Sequence, residues 1–291
     1  MNRKEFIIGA TAAGLASALP AAEKDGLRLR FLGTGAADWN GKDERGEHRR
    51  LSSVLIDNAI LIDFTSTAHD MLPEGVKPEV IFYTHSHGDH YNPVDALKLG
   101  VKLVYVHESW VEDARKEFVA VAAKLGVVAP EVRALAFGET AEERGVRFTC
   151  VPANHGTSRK GEHTAMYLVE KGDERLLYAT DTGGIMAEAA RIVGIDAHVR
   201  NGKPITALVM EATMGVEHAD DFRIFTHSSV DTVARIVRIL TETRRYLPPA
   251  GRKVYLTHMA RTLHGTQAEI AATVPAPLSP AYDGLEVVFG G

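Results

Sequence analysis

The run His85-Ser86-His87-Gly88-Asp89-His90 is entered directly from the apolar segment Val80-Ile81-Phe82-Tyr83-Thr84, and it is the tightest constraint on this chain. Three imidazoles and a carboxylate within six residues, placed where a rigid element ends, are what a metal site requires. His85 and His87 are two apart, so extended backbone puts both on one side. Gly88 is expected to let the chain turn, after which Asp89 and His90 face a second position. Asn92-Pro93 is expected to open a helix.

Composition limits the alternatives. Among 291 residues, 45% are hydrophobic, enough to bury a full core. The one cysteine, Cys150, excludes an intramolecular disulfide, a Cys-rich zinc ribbon and an iron–sulfur cluster held by the chain's own thiolates. Its setting, Val146-Arg147-Phe148-Thr149-Cys150-Val151, reads as a buried strand thiol. The formal net charge of −5, with no cationic block interleaved with aromatics, argues against stable nucleic-acid binding. Thirteen histidines are the compositional oddity.

Residues 1–22 begin Met1-Asn2-Arg3-Lys4-Glu5-Phe6 and continue as an Ala/Gly-rich apolar run from Ile7 to Ala18. They read as a twin-arginine-like export signal, which places the mature protein in a bacterial periplasm. The run is shorter than the ~20 residues that span a bilayer, and no later segment is long and apolar enough. Residues 23–291 are expected to form a single domain.

Short β-branched runs then recur: 27–32, 53–56, 60–64, 80–84, 102–106, 146–151, 165–169, 176–180, 205–210, 253–257 and 285–289. Helical spacing is clearest over 109–125, 186–193 and 230–246, where Val230, Val233, Ile236, Val237 and Leu240 share a face. Hairpins first and mixed strands and helices after predict two sheets packed face to face with helices outside. Phe31-Leu32-Gly33-Thr34-Gly35 invites a nucleotide-loop reading, which fails because Asp38 replaces the third glycine and no helix pattern follows.

His-x-His-x-Asp-His after a strand resembles the signature of the metallo-β-lactamase superfamily. The resemblance implies an α/β, four-layer αββα sandwich with metals at one edge of the sheets. It also implies later ligands, and His155, Asp181 in Thr180-Asp181-Thr182-Gly183, and His258 fill those places in order. By that resemblance His85, His87 and His155 hold one metal, Asp89, His90 and His258 hold the other, and Asp181 bridges. Ligands without thiolate suit two divalent cations, zinc foremost, with manganese or iron as alternatives.

Two further segments resemble the branch containing tRNase Z and phosphoribosyl cyclic phosphodiesterase: Glu211-Ala212-Thr213 and Thr226-His227-Ser228-Ser229. The opening 31–35 and the tail 256–264 with 281–286 resemble the latter group too. This implies a phosphodiesterase acting on a small, possibly cyclic, phosphodiester. In that mechanism Asp89 orients the attacking water, and His227, kept cationic by Glu211, protonates the leaving oxygen. The chain departs from these relatives in having no Cys-rich zinc site near 36–41 and no room for a Gly/Pro-rich tRNA-gripping arm. Arg49, Arg50 and His264 are candidate substrate contacts; for the arginines, solvated hairpin charge is the competing reading. The rival functions are another hydrolase of this fold, of lactonase or sulfatase type, and a non-catalytic metal-binding module. A small-molecule substrate is the expected partner, and a homodimer is the assembly to test.

Overall fold

The β-branched and aromatic runs become strands, each with neighbours to bury its side chains. In the computed structural model, which describes residues 26–199 and 201–290, these are β1 (Leu27–Gly33), β2 (Ser53–Ile56), β3 (Ile60–Ile62), β4 (Val80–Phe82), β5 (Leu103–His107), β6 (Glu131–Leu135) and β7 (Thr140–Glu143). They continue as β8 (Val146–Pro152), β9 (Ala165–Lys171), β10 (Glu174–Ala179), β11 (Ala207–Glu211), β12 (Val254–Thr257), β13 (Leu278–Pro280) and β14 (Glu286–Phe289). The helices are α1 (Pro93–Leu99), α2 (Val111–Leu125), α3 (Ala187–Val193), α4 (Val230–Glu242) and α5 (Gln267–Thr273). The expected export segment lies outside the described residues, among which no helix is long and apolar enough to cross a membrane.

Two seven-stranded sheets form, ordered β14-β1-β2-β3-β4-β5-β6 and β13-β12-β11-β10-β9-β8-β7. In each, one half is antiparallel and the other parallel: β3 through β6 run parallel in the first, β10 through β13 in the second. The inner parallel strands β3, β4 and β11 are buried on both faces, which accounts for their unbroken apolar runs. Phe82 faces the other sheet, stacking on Tyr105 of its own (4.4 Å) and on Phe148 of β8 (4.1 Å). Its neighbour Ile81 turns outward, under α1 and α2 with Ala114 and Phe118. On the second sheet Val209 points inward while Leu208 and Met210 meet α3 and α4. The order of layers is therefore helix, sheet, sheet, helix, as expected.

The helical spacing of α4 places Val230, Val233, Val237 and Leu240 in the outer core, at about 1.5–3 kcal/mol for each fully buried side chain. Helix α1 starts where Asn92-Pro93 indicates, with Asn92 Oδ1 accepting from the amides of Val94 and Asp95. Cys150 is buried within β8, and burial pushes its thiol up.

Several elements depart from the expectation. β6 and β7 are polar and alternate only weakly, and β13 contains Pro280 at a sheet edge; their partners, not their residues, make them strands. Helix α5 carries a visible start signal, the capping box of Thr266 and Glu269, but only one buried residue, Ile270. β4 ends at Phe82 rather than Thr84 because the Thr84 amide is drawn to Asp63 Oδ1 (2.8 Å). β3 ends at Ile62 because Asp63 adopts φ 54°.

Candidate metal centre

Every strand that feeds the site does so at its C-terminal end. β3 delivers Asp63, β4 His85, β8 His155, β10 Asp181, β11 Glu211 and β12 His258. Asp63, Asp181 and His258 all have left-handed backbone (φ 54°, 48° and 51°). A non-glycine residue held there costs on the order of 1–3 kcal/mol, and such strain persists where surrounding structure enforces it. Gly88 is a correction: its φ is not left-handed. The turn is closed by the amides of His90 and Tyr91 donating to the His87 carbonyl (3.0 and 2.8 Å).

The seven residues named from the motifs converge into two groups, His85, His87, His155 and Asp181, and Asp89, His90 and His258, and an overlapping third set brings His227 within ligand distance of Asp181 and His258. His85 Nε2 and His87 Nδ1 are 2.9 Å apart, and His155 Nε2 is 3.3 Å from His87 Nδ1. Asp181 divides its carboxylate between the groups. Oδ2 lies 3.5 Å from His85 Nε2 and 3.7 Å from His155 Nε2, while Oδ1 lies 3.4 Å from His90 Nε2 and 3.1 Å from His258 Nε2. Asp89 Oδ2 is 3.3 Å from His90 Nε2 and 3.4 Å from His258 Nε2.

An outer ring of partners decides which nitrogens face inward. Thr84 Oγ1 donates to Asp63 Oδ2 (2.8 Å), so its lone pairs accept from His85 Nδ1 (2.9 Å). Thr213 Oγ1 donates to Glu211 Oε2 (2.5 Å) and accepts from His258 Nδ1 (2.9 Å). The same carboxylate–hydroxyl–imidazole relay thus occurs twice. His90 Nδ1 donates directly to Asp63 Oδ2 (2.7 Å), and His155 Nδ1 donates to the Thr226 carbonyl (3.1 Å). With each Nδ1 proton committed outward, the Nε2 atoms of His85, His90, His155 and His258 turn into the site, the arrangement metal-binding histidines use. Ser86 and Thr157 both donate to Glu162, which ties the loop after β8 to the first histidine run.

Electrostatics agree with a cation site. Burial, then neighbouring imidazoles, hold His85 well below the ordinary histidine range. Burial opposes charge on His90 as well, yet Asp181, Asp89 and Asp63 together hold it well above that range. Asp181 is likewise buried, and His258, His90 and His85 keep its carboxyl well below the usual value. His90 Nε2 is buried with no hydrogen-bond partner among the described residues. A neutral His85, carboxylates ionised around a His90 whose proton a cation would replace, and the orphaned His90 Nε2 together fit divalent cations.

Glu211 and His227, placed at the site by sequence, do meet there. His227 Nδ1 lies 3.1 and 3.2 Å from the Glu211 oxygens, and its ring sits 4.7 Å from that of His155 and 5.6 Å from that of His258. Burial would lower its pKa, but the Glu211 carboxylate overcomes this and raises it to about 9. A cavity of about 360 Å³ opens over these groups, lined by Asp38, His87, Asp181, Arg223 and His227 among others.

The candidate substrate contacts are placed elsewhere. Arg49 is buried, not solvated, and donates to Thr34 Oγ1 (2.8 Å), the Ala281 carbonyl (3.0 Å) and Gln267 Oε1 (2.6 Å). Arg50 pairs with Asp70 and Asp283. His264 is 2.6 Å from the Ala212 carbonyl through Nε2 and lines a neighbouring cavity. None of the three lines the cavity over the cluster. Sequence reasoning missed Asp63, signalled only by an acid ending the run Ile60-Leu61-Ile62, and Arg223, which no motif marks.

The model of the "Beta-lactamase superfamily domain" matches residues 54–259, a span running from β2 to just past His258. The chain belongs to the β-lactamase superfamily. Within this superfamily it is 33% identical over 195 residues to a UPF0173 metal-dependent hydrolase of Thermofilum pendens, covering 65% of this chain and 78% of the relative. That identity places it among the superfamily's metal-dependent hydrolases. Solved structures share the metallo-β-lactamase fold. YhfI from Bacillus subtilis superimposes with a TM-score of 0.64 at 15% identity, covering 91% of this chain and 100% of that one. A diphosphatase from the PhnP family gives 0.61 at 22% identity with the same coverage. Human short-form tRNase Z gives 0.61 at 15%, again over 91% and 100%.

Proposed function

We propose that this hydrolase is a dinuclear phosphodiesterase acting on a small, possibly cyclic, phosphodiester. The observation that carries the reading is His227, held by Glu211 at the rim of the cluster with a pKa near 9. A phosphodiester expels an alkoxide, and a cationic imidazole at that position can protonate it. A likeness in fold to a PhnP-family diphosphatase and to tRNase Z supports the choice.

His85, His87 and His155 would hold one divalent cation and Asp89, His90 and His258 the other, with one Asp181 oxygen for each. Zinc suits this set best, with manganese or iron as alternatives. Bound there, the two ions supply Lewis acidity, acidifying water and neutralising charge at the attacked centre. Asp89 turns Oδ2 toward His90 and His258, and its other oxygen orients the attacking water and accepts its proton. Glu211 keeps His227 protonated, and His227 gives that proton to the leaving oxygen. Residues 23–291 act as one domain, and residues 1–22 direct export to the periplasm.

The test is a panel of bis(p-nitrophenyl) phosphate, a 2′,3′-cyclic nucleotide and a lactone, with metal content measured on the same sample. Phosphodiester turnover that chelation abolishes and zinc restores is the expected result. Turnover confined to lactones overturns the proposal. Export is checked by the N-terminal residue and compartment of the mature protein.

A further inference from the structure

We infer that Arg223 and Phe222 form a subsite at the entrance of the cavity, which selects an anionic ester bearing a planar aromatic ring. The inference rests on the phosphodiester reading for its substrate class. Its test separates the two.

Among the described residues, Arg223 is the only lysine or arginine lining this cavity. Asp38, also in the lining, is already occupied by the amides of Arg261 (2.8 Å) and Thr262 (3.1 Å) and by Thr262 Oγ1 (3.1 Å). Arg223 is only partly occupied. Its Nη1 donates to both oxygens of Asp221 (3.0 and 2.8 Å), and its Nε and Nη2 have no hydrogen-bond partner among the described residues. A guanidinium with a free edge matches two oxygens of a phosphate.

The turn that carries it is anchored to the catalytic groups. The Arg223 carbonyl accepts from the amides of Thr226 (2.9 Å) and His227 (2.7 Å). Asn154 Nδ2 donates to the Phe225 carbonyl (3.2 Å), and His155 Nδ1 to the Thr226 carbonyl (3.1 Å). Arg223 is therefore held in fixed relation to His155 and His227. The same turn presents apolar side chains outward: Phe222 and Phe225 are each 74% exposed and Ile224 40%. Such a cluster on one surface turn marks a contact surface rather than a core. The Phe222 ring centroid lies 4.8 Å from Arg223 Cζ. The Asp221 bonds hold the guanidinium whether or not the ring is present, and the exposed Phe222 ring is available to meet a second aromatic ring, an aryl group or a nucleobase.

The probes are inorganic phosphate and phenyl phosphate, titrated calorimetrically into the metal-loaded enzyme. Arg223→Ala is expected to weaken both by about ten- to a hundredfold, the scale of a charge-assisted contact, and Arg223→Lys to recover part of the loss. Phe222→Ala is expected to weaken phenyl phosphate about five- to fiftyfold, a stacking contribution, while leaving phosphate within about twofold. On bis(p-nitrophenyl) phosphate, Arg223→Ala should raise KM about tenfold with kcat nearly unchanged. Equal phosphate affinity in wild type and Arg223→Ala overturns the subsite, as does Phe222→Ala losing both probes alike. Binding that follows the expected pattern without any phosphodiester turnover supports the subsite and overturns the phosphodiesterase reading.

Discussion

His227→Ala removes one imidazole at the rim and leaves the seven ligands named from the motifs in place; because His227 also lies within ligand distance of Asp181 and His258, it isolates proton donation where metal content is unchanged. With a pKa near 9, roughly nine-tenths or more of His227 is cationic at neutral pH. Its role depends on the leaving group. For an alkoxide, as in a 2′,3′-cyclic nucleotide, loss of a positioned acid should lower kcat/KM by about 10²–10⁴, equivalent to about 2.7–5.5 kcal/mol of transition-state stabilisation. p-Nitrophenolate is stable as an anion near neutral pH and leaves without a proton, so the same variant should lose less than about tenfold on bis(p-nitrophenyl) phosphate. The assay is the ratio of the two kcat/KM values in wild type and variant, with metal content and thermal unfolding measured alongside. Equal losses on both substrates, with metal retained, would refute the assignment of His227 as the acid. Glu211→Gln should act in the same direction and also destabilise the fold. The buried carboxylate accepts from Thr182, Thr213 and His227, and an amide cannot accept from all three.

Asp63 orients His90 directly and His85 through Thr84, so Asp63→Asn should weaken metal binding by about 10–100-fold in a competition titration with a chromophoric chelator; unchanged affinity would remove Asp63 from the site. Burial lowers both His107 and His264 to about 4. Each is therefore neutral in the fold and above its unfolded pKa near 6.5, so the stability they carry is complete above pH 6.5 and is lost as pH falls toward 4. The slope is up to about 1.4 kcal/mol per pH unit for each group, and urea midpoints for wild type and His107→Gln across that window should converge at low pH. Arg49→Met should lower the thermal midpoint and leave KM unchanged, because its guanidinium bonds Thr34, Ala281 and Gln267 instead of facing the cavity; a KM effect without a stability effect would return it to the substrate site.

The residues that converge at the candidate site were legible where local pattern and chemistry coincide. The run from His85 to His90 concentrates donors that have no common structural use together, and His155, Asp181, Glu211 and His258 each follow a recognisable strand. The helix, sheet, sheet, helix layering was legible too, because two strand-rich halves with helical spacing between the strands, together with the resemblance carried by the histidine run, pointed to it; which face of a uniformly apolar strand such as Val80-Ile81-Phe82 turns inward was not. Elements without apolar periodicity were not. β6 and β7 become strands only because β5 and β8 offer hydrogen-bonding edges.

What the chain determined by itself is therefore the donor set and the elements that bear it. Tertiary structure decided the rest, because it depends on groups far apart in sequence. Only the packed sheets bring Asp63 to His90, divide the Asp181 carboxylate between two groups, and turn each inward-facing Nε2 by committing its Nδ1 proton to a hydroxyl, carboxylate or carbonyl. The same packing withdrew Arg49, Arg50 and His264 into structural bonds and placed Arg223 over the cavity. A charged residue's sequence neighbourhood says what it can bind, and the fold decides which partner reaches it first.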